Sequence, residues 1–174
     1  MAWSIRRRFF RLRSGVVAVS AAILASSGCI YGFAGGGIPN VKTVAILPFE
    51  NDTPEPALTQ EVSDAVREAF ERRLGLRLAG ESNADALVRG RIVRYDPAEP
   101  VAVVPGQGAA TVTKRRVQVT VDVEIVDQRE GKTLWKRDGL TVVGDYDPPQ
   151  EAQGRKTALE KLVNEIVDGA QSQW

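Results

Sequence analysis

The chain has 174 residues with 23 basic and 22 acidic side chains, no histidine, a single cysteine and few aromatics. That inventory is poor in metal ligands and nucleophile–base pairs, and no Gly-rich phosphate loop follows a strand, so an enzyme is not expected. The near-neutral charge is itself misleading, because five arginines lie before residue 14 and no acid does.

Those arginines open the first element. Arg6, Arg7, Arg8, Arg11 and Arg13 form a basic stretch, Gly15 to Ala25 an apolar one, and Ser26-Ser27-Gly28 a small-residue end, the three parts of a secretory signal. The apolar stretch falls well short of the roughly 20 residues needed to span a bilayer, which predicts a cleaved segment, residues 1–28. Arg6-Arg7-Arg8-Phe9-Phe10-Arg11 also fits the twin-arginine export pattern, so two export routes stay open. Without the segment, 18 of the 23 basic residues remain against 22 acidic ones, which argues against a nucleic-acid protein.

Cys29 follows directly. A lone thiol has no internal disulfide partner, and its place after small residues matches bacterial lipoprotein processing, in which the cysteine sulfur takes diacylglycerol and the freed amine is acylated. Ser26 stands where Leu is usual. The alternative is a small buried thiol beside a membrane anchor. Residues 29–40, rich in glycine and without periodicity, read as a flexible tether, and residues 41–174 as one domain.

Within that domain, Val41 to Phe49 is apolar enough for a strand covered on both sides. Thr53 is a helix-cap candidate ahead of Pro54. Leu58, Val62, Val66, Ala69, Phe70 and Leu74 then recur at helical spacing up to Gly75. The acidic residues Glu61, Asp64, Glu68 and Glu71 suit an exposed face and are assigned no chemistry. Leu76 to Leu78 is a short extended piece, and Ala86 to Tyr95 a second strand with Val88, Gly90 and Ile92 on one face. Asp96 to Ala110, with three prolines and two glycines, reads as a long loop, either a contact element or plainly disordered.

Thr113 to Asp127 is the clearest strand, with Val117, Val119, Val121, Val123 and Ile125 on one side and only polar residues on the other. A turn at Gln128 to Gly131 leads into Lys132 to Val143, with a bulge expected at Asp138-Gly139. The last helix carries an inward stripe of Ala152, Leu159, Leu162, Val163, Ile166 and Ala170, and Asp168-Gly169 marks a frayed end. The order β-α-β-β-β-α predicts an α+β two-layer sandwich: a mixed four-stranded sheet, its last three strands antiparallel, with both helices on one face.

The run VAILPFENDTPEP before an amphipathic helix, then ADALVRGRIVRY, a valine-alternating strand, GKTLW and a helix ending in Trp174, resembles the LPS-assembly lipoprotein family (LptE) along the whole mature chain. A strand ending in PFEN also occurs in lipoproteins that activate a cell-wall synthase or join a secretion oligomer, which supply the competing function. The resemblance implies a non-enzymatic protein without cofactor, lipid-anchored on the periplasmic side of the outer membrane. It would plug and help assemble a β-barrel translocon (LptD) and assist delivery of lipopolysaccharide. Ile30 after Cys29 is not the Asp that retains some lipoproteins at the inner membrane.

A ligand with phosphates above acyl chains calls for cations beside apolar surface. Candidates are Arg89, Arg91 and Arg94 on the second strand, Lys114, Arg115 and Arg116 on the third, and Trp135, Lys136 and Arg137 on the fourth. If the second and third strands pair across the loop, Arg91 or Arg94 approaches Lys114 or Arg116. The alternatives are cross-pairing of these cations with Asp122, Glu124 and Asp138, and a Trp135 half-buried at a sheet edge.

Overall fold

The computed structural model describes residue 38 and residues 40–104 and 111–172. The signal segment 1–28, Cys29, most of the tether 29–40 and Trp174 lie outside the described residues. No helix among those described is long and apolar enough to cross a membrane.

Two two-residue strands lengthen the expected order. β1 (Thr43–Ile46) stops where Pro48 cannot donate to a ladder. The chain bridges to its neighbour through Leu47 N–H on Val88 O (3.0 Å) and resumes as β2 (Glu50–Asn51) beside the same strand. α1 (Ala57–Arg72) follows, then β3 (Arg77–Leu78), parallel to β1. β4 (Ala86–Val104), β5 (Thr111–Asp127) and β6 (Lys132–Tyr146) form an antiparallel meander, and α2 (Glu151–Gln171) closes the chain. The mixed sheet therefore has six strands rather than four, in the order β3-β1-β4-β5-β6 with β2 beside β4. The α+β sandwich stands, with the extra strands being edge pieces too short to show periodicity.

The core lies between the sheet and the two helices. Leu58, Val62, Val66, Ala69 and Phe70 of α1 and Ala158, Leu159, Leu162 and Ile166 of α2 are buried against Val117, Val119, Val121, Val123 and Ile125. Phe49 is seated here too, its N–H on Ser63 Oγ (3.1 Å). Gly90 makes room for it, since a Cβ there would stand 2.3 Å from the Phe49 ring. Gly75 ends α1 with φ +65, a conformation glycine adopts at no steric cost.

Several local expectations need correction. Thr53 does not cap α1. The helix begins three residues after Pro54, and Thr53 instead joins a turn with Asn51, donating its N–H to Asn51 Oδ1 (2.9 Å). Ala152 is exposed, because its place in the helical turn directs it to the groove between the two helices and not to the sheet, and the inward stripe starts at Gly154 and Ala158. Asp168 and Gly169 are helical, not frayed; Gly169 is a contact residue, where a Cβ would come within 2.3 Å of the Trp135 indole.

The largest correction concerns the loop. Asp96 to Val104 continue β4, paired with β5 as far as Val104↔Thr111. Past Ile92, β2 no longer flanks β4, so only one edge needs donors, and register shifts between Asp96 and Glu99 and between Pro100 and Ala102 absorb the prolines. β6 stops at Tyr146↔Arg115. Beyond that rung the hairpin projects as a two-stranded ribbon. Tyr146 OH donates to Pro97 O (2.8 Å) and Tyr95 OH to Glu151 Oε1 (2.8 Å), tying its root to the body. Burial, then the bond to Glu151, pushes the Tyr95 phenol well above its ordinary range.

Candidate functional site

Because β5 alternates strictly, its even-numbered residues face solvent, and the ladder decides which charges meet there. Arg89 stands opposite Glu124, which stands opposite Lys136. Arg91 faces Asp122, Arg94 faces Thr120, Glu99 faces Arg116 and Ala102 faces Lys114. The bulge expected at Asp138-Gly139 is present, with Gly139 at φ +66 and its N–H on Asp122 Oδ1 (2.7 Å).

This register separates the cations that a shorter hairpin would have joined. Arg91 is level with Asp122, six positions along β5 from Arg116, or about 20 Å. Neither Arg91 nor Arg94 approaches Lys114 or Arg116. What the register brings together is opposite charge. Arg89 is 2.8 Å from Glu124, Arg91 is 3.0 Å from Glu50, Arg94 is 3.8 Å from Asp96, Arg116 is 2.7 Å from Asp145 and Lys136 is 3.0 Å from Asp138. Trp135 is 8% exposed and belongs to the core, on the face shared with Ile125.

The carboxylates respond as such partners should. The Thr133 hydroxyl, then the Arg89 guanidinium, hold Glu124 below its usual range. The Arg116 bond does the same for Asp145. At the opposite end of the sheet, Asp85 accepts the backbone N–H groups of Lys42 (2.9 Å) and Thr43 (3.0 Å), and these two bonds depress it in that order. Asp127 is buried, which works against ionisation, but the N–H groups of Arg129 and Glu130 hold it low. All four carboxylates bind protons more readily in the unfolded chain, so they contribute stability above about pH 4 and lose it as pH falls through their depressed folded values. Thermal melts from pH 7 to pH 3 are expected to show a plateau and then a decline, with a shallower decline in Asp85→Asn. An unchanged slope in that variant would remove Asp85 from the acid response.

Three of the candidate cations make no ion pair among the described residues, Arg137 on β6 and two neighbours on β5. Among the described residues Lys114 and Arg115 form no ion pair, and Lys114 is exposed. They stand at the neck of the projecting hairpin, next to three of the exposed large apolar side chains among the described residues, Val101 (41%), Val103 (51%) and Val104 (53%). Residue type in the sequence singles out Lys114 and Arg115 but not these valines, although Val101 and Val103 alternate as strand residues do. Pro97, Pro100 and Pro105 obscured that signal.

Elsewhere, a groove between α1 and α2 has an apolar floor of Ala65, Ala69, Leu159 and Val163. Its rim charges pair with one another, Arg155 with Glu61 (3.3 Å) and Arg72 with Glu68 (2.6 Å). Among the described residues no group of three or more His, Cys, Asp or Glu side chains is placed to hold a metal ion.

Comparison with solved structures places the fold. It is similar to protein XCC0632 from Xanthomonas campestris, at 14% identity over 79% of this chain and 90% of that chain, TM-score 0.56. It is also similar to the PelC dodecamer from Paraburkholderia phytofirmans, at 15% identity over 79% and 95%, TM-score 0.52. At such identities the likeness is one of fold alone. No curated protein matches the sequence. The family model described as LptE, lipopolysaccharide-assembly, matches residues 41–172. Running from just before β1 to the end of α2, that match makes the chain a member of the LptE lipopolysaccharide-assembly family.

Proposed function

We propose that this family member is a non-enzymatic lipoprotein, acylated at Cys29 and held on the periplasmic side of the outer membrane. There it seats in the LptD β-barrel and assists delivery of lipopolysaccharide. The observation that carries this reading is the projecting β4–β5 hairpin, where exposed valines adjoin unpaired cations. Phosphorylated glycolipids present that same juxtaposition of anionic head and apolar chains. The polar face of the sheet suits the water-filled or polar interior of a barrel. The absence of histidine and the single cysteine in the sequence favour a binding role over catalysis.

β1 begins at the end of the sheet opposite the hairpin tip, since Val44 is level with Ala86. The 19 residues of β4 measure about 60 Å of strand.

Mild-detergent purification of the full chain from its own envelope, with mass spectrometry of its partners, tests the reading. A stoichiometric large β-barrel protein is expected. One observation favours a second reading, a self-assembled oligomer: PelC, which shares the fold, forms a dodecamer. Copies of this chain alone, or a cell-wall synthase, would replace the barrel reading.

A further inference from the structure

The cations along the solvent face are not equivalent. At the hairpin neck Lys114 makes no ion pair, whereas at the base Arg89, Arg91 and Lys136 are each paired with a carboxylate. The base rung shows how. Arg89, Glu124 and Lys136 stand abreast on β4, β5 and β6. Glu124 Oε2 accepts both Arg89 Nε (3.0 Å) and Nη2 (2.8 Å), while Oε1 accepts the Thr133 hydroxyl (2.7 Å). The Glu124 side chain is 19% exposed against 59% for Arg89, so the carboxylate lies low in the sheet and draws the guanidinium down over itself. Lys136 lies on the other side of Glu124 and has its charged form favoured by Asp138 first and by Glu124 at longer range.

Above this rung lies a concavity of about 360 Å³, lined by Arg89, Arg91 and Lys136 and also by Glu50, Asp122, Glu124 and Asp138. Three cations thus face four carboxylates. An anionic group entering it meets acceptors already seated on the donors it needs.

We propose that Glu124 is an internal competitor for the anionic groups of the ligand. A phosphate engages Lys114 at the neck, where no carboxylate is in contact with the cation, and reaches Arg89 at the base only by displacing the Glu124 carboxylate, while Lys136 is held by Asp138. The inference rests on the lipid-binding reading above and names what regulates binding along that same face. An exposed ion pair is a weak rival, and a phosphate group brings more charge and more acceptor oxygens than a carboxylate. Glu124 therefore weakens binding without abolishing it, which suits a protein that must hand its ligand on.

The test uses the full chain and diphosphorylated lipid A in detergent micelles as the probe. Glu124→Gln keeps the size of the side chain and an acceptor for Thr133. It is expected to bind about fivefold more tightly than the unaltered protein, with the gain shrinking at high salt. Adding Arg89→Gln is expected to cancel the gain. Glu124→Ser should repeat it, and thermal midpoints confirm that each variant folds. If the unaltered protein binds and Glu124→Gln binds no better, or if the gain survives Arg89→Gln, the competitor is refuted while the lipid-binding reading stands. If no variant and not the unaltered protein binds the probe, both fall together.

Discussion

Gly144→Ala is expected to lower the stability of the domain by about 3 kcal/mol, the upper part of the range for inserting an atom into a filled core. Gly144 lies on β6 opposite Val117, with α2 crossing directly above. A Cβ at this position would stand 1.9 Å from the carbonyl oxygen of Gly154 and 2.8 Å from the backbone nitrogen of Ala158. Both obstacles are backbone, so no rotamer change relieves them. α2 would have to lift as a body, opening the contacts of Ala158, Leu162 and Val117, all 1% exposed or less.

The helix side bears the same mark. Glycine inside a helix costs about 1 kcal/mol relative to alanine, yet Gly154 occupies an interior position of α2, where a Cβ would meet the Tyr146 ring at 2.6 Å. Two facing glycines thus let helix and strand backbones touch. At about 2–4 °C per kcal/mol for a domain of this size, the melting midpoint of Gly144→Ala should drop by roughly 6–12 °C. Gly80→Ala is the control, because nothing lies within 4 Å of its Cβ position and its φ is −66. A Gly144 variant that melts with the control would mean that α2 does not lie this close to β6.

None of that proximity is written in a periodicity, which explains what could and could not be read from the chain. β5 was legible because a half-buried strand alternates, and its five inward residues are 2% exposed or less. α1 was legible because its apolar residues recur at three and four. β2 and β3 were not, since two residues cannot display a period, and what holds them is the neighbouring ladder. The extension of β4 was hidden by prolines that are excluded from central strands but tolerated where one edge is open.

The candidate site depended on a different kind of information. Residue type alone picked out Arg89, Arg91, Arg116 and Lys136, but register decides whether like or unlike charges become neighbours. A hairpin turning at Asp96 would have gathered cations. One turning after Val104 sets Arg91 against Asp122 and Arg116 against Glu99. Trp135 was decidable, because alternation along β6 places it on the same side as Arg137 and opposite Lys136, and its partner Ile125 is a core residue.

Reversing the two cations of the hairpin neck, Lys114→Glu with Arg115→Glu, is expected to weaken binding of lipopolysaccharide by about thirtyfold while leaving the melting midpoint in place. Each hydrogen bond between a charged donor and a phosphate is worth about 1.5–3 kcal/mol when made, and reversal adds repulsion to the loss. Against that, the neck is exposed and salt screens it, so the combined effect is set nearer one such bond than two. Stability should be largely spared because neither residue is in contact with a carboxylate, Lys114 acting on Asp145 only at longer range than Arg116 does, and because β6 stops at the Arg115 rung. The contrast with Arg116 sharpens the test. Its bond to Asp145 raises its own affinity for the proton and lowers that of Asp145, so Arg116→Glu would place two carboxylates side by side and disturb the fold as well as the surface. Affinity measured on micellar lipopolysaccharide at low and high salt separates these effects. Loss of binding at low salt with an unshifted melt places the contact at the neck. Full binding by the doubly reversed protein would mean that the hairpin meets its ligand through Val101, Val103 and Val104 alone.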